Sequence, residues 1–143
     1  MNNSLGNQAL ETLGIIFANC NQITKILLSN NLFGQGVGQL DAIDQFLNQM
    51  LTELDHPSHL DLSSNKFTDE SLRAFVKYIF ANEECHLTFF SLEDNALFST
   101  YGKRTLLKCY SLSPIKSQIH FRCGPLPFTE STLKHAWVTQ QLI

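Results

Sequence analysis

The segment Leu60-Asp61-Leu62-Ser63-Ser64-Asn65 places two leucines one residue apart and an asparagine three residues after the second leucine. The same arrangement recurs at residues 26–31 and 90–95, with isoleucine or phenylalanine in the first apolar position. The asparagines that end the three copies are Asn31, Asn65 and Asn95. Successive asparagines are 34 and 30 residues apart. A period of this length is typical of proteins built from stacked structural repeats, so this motif decides the fold.

Each copy predicts a short strand followed by a turn. Alternation of apolar residues with others buries one face of a strand. The closing asparagine can bond backbone groups that the turning chain leaves unpaired. Two positions beyond each asparagine lie further predicted core residues, Phe33, Phe67 and Leu97. A fourth copy is predicted at residues 119–124, with Ile119 in the place of Phe90, Gly124 in the place of the asparagine, and Leu126 beyond it.

Between the strands, apolar residues recur at the spacing of three to four that forms one buried stripe on a helix. A further helix from Leu5 to Ala18 is predicted before the first strand. Thr68 and Thr129 are predicted helix N-caps. The predicted stripes comprise Leu10, Leu13, Ile16 and Phe17; Leu40, Ile43, Phe46, Leu47, Met50 and Leu51; Leu72, Phe75, Val76, Ile79 and Phe80; Leu106, Leu107 and Tyr110; and Leu133, Trp137 and Val138. The predicted order is therefore α-β-α-β-α-β-α-β-α.

These residues resemble a leucine-rich repeat protein of the ribonuclease-inhibitor-like subtype, which has repeats near this length and a full helix in each. The resemblance implies an α/β fold, a right-handed β/α solenoid or horseshoe with about four short parallel strands on the concave face and helices on the convex face. The resemblance covers roughly residues 5–138. The predicted organisation is one domain over residues 1–143, with an N-terminal capping helix at 5–22, repeats at 23–126 and a C-terminal capping helix at 127–143. The short, Asn/Gln-rich chain also resembles leucine-rich repeat effectors that bacterial pathogens deliver into the host cytosol.

Composition favours a globular chain, with 43% hydrophobic and 16% charged residues. No apolar run approaches the roughly 20 residues that a membrane span needs, and no basic segment precedes the first apolar run. The sequence therefore predicts a cytoplasmic protein without a membrane anchor.

Four cysteines are spread widely over the chain at positions 20, 85, 109 and 123, which favours reduced thiols that are mostly packed. A thiol-dependent enzyme using Cys85 or Cys123 is the alternative function, but the sequence shows no convergent base, so we expect no enzyme activity. His56 and His59 are the nearest approach to a metal-ligand pair, and their spacing is too weak to predict a site. We expect neither a metal nor a cofactor.

The charges are polarised along the chain. Residues 1–99 contain twelve acidic and four basic residues, whereas residues 100–143 contain one acidic and six basic residues. This asymmetry either orients a charged partner or is surface charge without a role. Lys103, Arg104 and Lys108 lie on one predicted helix, but the net charge of −3 disfavours a nucleic-acid partner.

The outward side chains of the strands form the candidate site, because residues between buried positions must point away from the core. Apolar anchors within a polar rim are typical of protein interfaces. We therefore predict a non-catalytic module that binds a protein partner through the concave face; a merely solvated face and the oligomeric state remain open at this point. The predicted binding residues are Lys25, Leu27, His59, Asp61, Ser63, Phe89, Ser91, Glu93, His120 and Arg122, and the outward rows also include Ser29 and Gln118.

Overall fold

The computed structural model describes residues 5–20, 22–36, 38–52 and 57–124. The helix that was predicted at 127–143, with its N-cap Thr129, lies outside the described residues. The described part of the chain consists of α1 (Asn7–Ala18), β1 (Lys25–Leu27), α2 (Gln39–Thr52), β2 (His59–Asp61), α3 (Leu72–Phe75), β3 (Phe89–Ser91), α4 (Thr100–Ser111) and β4 (His120–Arg122).

The four strands form one parallel sheet in the order β1-β2-β3-β4. Each strand has three residues, and its central residue is buried against the helices. Parallel neighbours require a crossover connection, and here a helical segment connects each strand to the next. The α/β class and the four short parallel strands predicted from the repeat are confirmed.

The third helical segment is built from three kinds of turn. A 3₁₀ turn (Asp69–Ser71) leads into α3, which continues into a π turn (Val76–Phe80). Thr68 caps the start, because its hydroxyl accepts a hydrogen bond from the Glu70 amide at 3.3 Å. This confirms the predicted N-cap at Thr68.

The three asparagines join each repeat to the one before it. Asn65 accepts a hydrogen bond from the Phe33 amide at 3.1 Å and donates to the Leu28 and Leu62 carbonyls, each at 3.0 Å. Asn95 repeats this arrangement one repeat later, accepting from the Phe67 amide at 3.1 Å. Asn31 accepts from the Leu5 amide at 3.0 Å. All three asparagines are buried, so each satisfies backbone groups that water cannot reach.

A second set of contacts between repeats lies at the starts of the helices. Asn7 accepts from the Gly34 amide at 2.7 Å, and Gln39 accepts from the Thr68 amide at 3.3 Å. Asp69 accepts from the Ser99 amide at 3.0 Å. In each case a residue at the start of one helical segment holds the loop of the next repeat. The spacing of the sequence motif did not reveal this set, because its members are three different residue types.

Three predicted core positions are wrong. Leu97 is 55% exposed, and the neighbouring Phe98 is buried in its stead, because one more residue separates Asn95 from the start of α4 than separates Asn65 from the 3₁₀ turn at Asp69. On the helices, Ile16 and Leu40 are exposed although both fit the apolar stripe. Ile16 lies in the last turn of α1 and Leu40 in the first turn of α2, where a side chain at the end of a helix can project past the neighbouring elements.

The fourth copy is also shifted from its predicted position. The structure pairs Phe90 with Phe121, whereas the predicted copy aligned Phe90 with Ile119. Cys123 therefore follows β4 at the buried position that Leu92 occupies after β3, instead of the predicted turn position. Gly124 consequently does not correspond to the asparagine. The prediction failed because Ile119 and Phe121 mimic the spacing of the strand motif two residues too early.

Candidate functional site

The outward residues of the four strands form a continuous surface, which we call the open face. Strand pairing arranges them in two rows that run across the sheet. The first row contains Lys25, His59, Phe89 and His120. The second row contains Leu27, Asp61, Ser91 and Arg122. All eight were predicted as binding residues, and the pairing brings them together on one side of the sheet.

Aromatic rings stack along the first row. The rings of His59 and Phe89 are 5.7 Å apart between centroids at an interplanar angle of 25°. The rings of Phe89 and His120 are 5.9 Å apart at 24°. Such cross-strand aromatic contacts hold rings at fixed positions on a sheet surface. Phe89 is half-buried as a result, and it presents a rigid apolar centre flanked by polar rings.

The second row combines an apolar residue with charged ones. Leu27 lies on the edge strand β1 and is 53% exposed. Arg122 forms a salt bridge with Glu93, whose carboxylate it neutralises. Ser91 is only 4% exposed, so the expectation that it is available to a partner is wrong.

Ser63 and Glu93 follow their strands and lie at the edge of the open face. The Ser63 amide donates to the Asp61 carboxylate at 2.9 Å, and the Glu93 amide donates to the Ser91 hydroxyl at 3.3 Å. These equivalent contacts fix the directions of Asp61 and Ser91. Ser29 lies at the corresponding position after β1 and is half-buried.

Gln118 has a different position from the predicted outward row. Its side-chain amide donates to the carbonyl oxygens of Cys85 at 2.6 Å and Leu87 at 2.9 Å. The register of β3 and β4 places it beside Leu87 rather than beside Phe89. Gln118 therefore ties the last two strands together, and the shifted fourth copy explains why it was assigned to the open face.

Cys85 and Cys123 are both buried. Burial raises the pKa of the Cys85 thiol, opposed by a hydrogen bond from the Leu87 backbone. Burial also raises the pKa of Cys123 to about 11, opposed by nearby Lys103 and reinforced by Glu93. A reactive cysteine needs a lowered pKa, so both thiols have the environment of packed core groups. Cys20 is exposed and Cys109 is half-buried.

Two further candidate sites from the sequence were a metal site and a nucleic-acid surface on the helix that contains Lys103, Arg104 and Lys108. Among the described residues, no group of three or more His, Cys, Asp or Glu side chains is placed to hold a metal ion. Lys103 and Arg104 are half-buried on α4, where Lys108 is exposed. Tyr110, which was predicted in the apolar stripe of this helix, packs against Phe80 and donates to the Ile119 carbonyl at 3.0 Å. Tyr110 therefore belongs to the core side of α4.

A shallow groove crosses the loops that follow the strands. It is lined by Gly34, Gln35, Gly36, Gln39, Thr68, Asp69, Glu70 and Leu97. Gln39, Thr68 and Asp69 are already engaged in the contacts that join successive repeats. Gly34 has φ +92°, and a Cβ there would lie 2.6 Å from the Phe67 backbone, so its glycine serves the packing of two loops. The groove is therefore part of the scaffold.

Within the described ranges, no helix is long and apolar enough to cross a membrane. No protein-family model matches the chain, and no curated protein is significantly similar to it in sequence.

Proposed function

We propose that this chain is a leucine-rich repeat solenoid of right-handed β/α form, and that it binds a protein partner through the open face without catalysing a reaction. The asparagine contacts support the repeat assignment, because Asn65 and Asn95 make the same three bonds one repeat apart. In such a solenoid the open face lines the concave side. The resemblance to delivered bacterial effectors extends the proposal to a partner in a host cytosol.

The observation that carries the proposed function is the pair of apolar groups on the open face, the exposed Leu27 and the half-buried Phe89. Leu27 and Phe89 lie on different strands of a surface that otherwise presents charged and polar side chains. Interfaces draw most of their binding energy from a few apolar or aromatic anchors surrounded by a polar rim. The stacked histidines hold Phe89 in place before binding, which lowers the entropy lost by ordering it.

The test compares the two sides of the molecule. A photoreactive phenylalanine analogue placed at Phe89 should crosslink the partner, whereas the same analogue at exposed Lys77 on the helix side should not. The crosslinked partner is then identified and purified, and its affinity for the wild-type chain and for each variant is measured by calorimetry. Phe89→Ala combined with Asp61→Lys should lower affinity at least about tenfold, since interface anchors contribute more than about 1 kcal/mol each.

Lys77→Glu is the control, and it should leave affinity within about threefold because single peripheral charges contribute little. Circular dichroism spectra should be unchanged in both variants, and the double variant should melt only a few degrees lower, as expected for the loss of ring stacking at the open face. Equal losses in both variants, or a loss confined to Lys77→Glu, would contradict the proposal and place the binding site on the helices.

A further inference from the structure

The charges of the open face differ in how they are neutralised. Glu93 is paired with Arg122 in a salt bridge. Asp61 accepts a hydrogen bond from the Ser63 amide at 2.9 Å, but no cation of the described residues lies at ion-pair distance from it. One backbone amide compensates a carboxylate only in part, since a carboxylate has acceptor sites on both oxygens. Within the described part of the chain, Asp61 is therefore the anionic group of the open face that has no cationic partner.

An apolar surface lies directly beside this carboxylate. Asp61 pairs in register with Leu27, whose side chain is 53% exposed, and Phe89 lies diagonally across on the next strand. Paired residues on neighbouring strands have Cβ atoms about 5 Å apart. A lysine or arginine side chain matches both features, because its aliphatic stem can cover Leu27 while its charged end reaches Asp61.

The wider charge distribution favours the same ligand. Residues 1–99, which supply three of the four strands, contain twelve acidic residues and four basic ones. This excess attracts cations over distances near the Debye length of about 10 Å at moderate salt. Lys25, however, lies diagonally from Asp61 at the β1 edge and repels a second cation there. The face therefore favours one basic residue between apolar neighbours over a polybasic tract.

We infer that Asp61, together with Leu27 and Phe89, forms a docking position for a single lysine or arginine flanked by apolar residues in an extended segment of a protein partner. The inference rests on the proposed function, whose binding surface it uses. It adds the chemistry of the group that the surface recognises.

The test uses the full 143-residue chain labelled with ¹⁵N and three short synthetic peptides. These are acetyl-Gly-Leu-Lys-Leu-Gly-amide and its counterparts with Gln or Glu in place of Lys. The Ser63 amide is the natural reporter, because it is hydrogen-bonded to Asp61. The lysine peptide should shift the Ser63 and Leu27 resonances saturably, with at least about fivefold higher affinity than the glutamine peptide, in keeping with about 1 kcal/mol for a partly desolvated ion pair.

Two variants with the same chemical change separate the roles. Asp61→Asn should abolish the preference for the lysine peptide while leaving the glutamine peptide's affinity unchanged. Asp44→Asn on α2 should retain the preference. High salt should reduce the preference in the wild-type protein, because screening weakens an accessible ion pair.

The outcomes distinguish this inference from the proposed function. Equal binding of the lysine and glutamine peptides at the open face would overturn the inference and leave the proposed function standing. Shifts confined to the helices would contradict both, and absence of saturable shifts with the lysine peptide would overturn the inference. Movement of the same resonances on dilution without peptide would assign the site to a second copy of this chain, which also overturns it.

Discussion

The twelve strand residues divide between the two faces of the sheet, and the two faces differ in composition. On the inward face, the central residues of the strands are Ile26, Leu60, Phe90 and Phe121, all large, apolar and buried. On the open face, the residues at the first strand position are a lysine, a histidine, a phenylalanine and another histidine. The inward positions all hold apolar side chains because they pack into the core, whereas the residue type at the outward positions changes from strand to strand. Uniformity along the repeats therefore marks the scaffold, and variety marks the surface available for recognition.

Phe89 and Phe90 give the most direct test of whether the two faces contribute differently to stability, because they are identical neighbours on opposite faces. Phe90 is fully buried and its ring contacts those of Phe75, Phe80 and Phe121. Phe90→Ala should lower the free energy of unfolding by about 3–5 kcal/mol, as expected for a large aromatic residue deleted from a core.

Phe89→Ala should cost about 1 kcal/mol, since it loses ring stacking without leaving a closed cavity. Urea unfolding of the two variants measures both values. Comparable losses in the two would mean that the open face supports the fold as much as the core does.

The second prediction concerns Asn65, the buried asparagine in the turn that follows β2. Asn65→Ala should cost about 1–3 kcal/mol, because the Phe33 amide and the Leu28 and Leu62 carbonyls would lose a buried partner. Asn48→Ala, at an exposed position of α2, is the matched control. If thermal unfolding shows the same loss for both asparagines, the contact between repeats is not a source of stability.

The third prediction uses the buried thiol of the fourth repeat. The pKa of Cys123 rises from 9.0 to about 11 on folding. A raised pKa means that the folded state favours the protonated thiol, so its stabilising contribution is full below pH 9.0 and is lost as the pH rises through about 11. At about pH 10 the loss should be about 1 kcal/mol.

Cys123→Val removes the titrating group and keeps an apolar side chain of similar size. The stability difference between this variant and the wild-type protein should therefore change between neutral pH and about pH 10 by that same amount. A difference that stays constant with pH would show that Cys123 is accessible to water and does not occupy the buried position of Leu92.

The sequence predicted the first three repeats well and the fourth poorly. The asparagine motif aligned the first three copies, and the structure confirms that alignment through the pairing of Lys25 with His59 and of His59 with Phe89. The fourth copy lacks the asparagine, so only apolar spacing remained, and that spacing fits two registers. The prediction that Leu97 lies in the core was wrong for a related reason, because a one-residue difference in turn length moves the core position to Phe98.

The open face was predictable as a set of residues but not as an arrangement. Alternation along each strand is a local property, so the outward identity of Phe89 and Asp61 followed from the sequence. The stacking of Phe89 between His59 and His120 depends on the register of three strands. The burial of Ser91 and the pairing of Arg122 with Glu93 likewise depend on neighbours that are distant in sequence.

The amino-acid sequence by itself determined the α/β class, the strand positions of the first three repeats and the alternation that separates core from surface. Each of these follows from spacing within a few residues, where backbone geometry dictates which side chains share a face. Only the tertiary structure decided the register of β4, the contacts of Asn7, Gln39 and Asp69 with the following loops, and the pairing of Glu93 rather than Asp61 with a cation among the described residues. These features join residues that lie far apart along the chain, so they depend on how distant segments pack against one another and not on the spacing within any one segment.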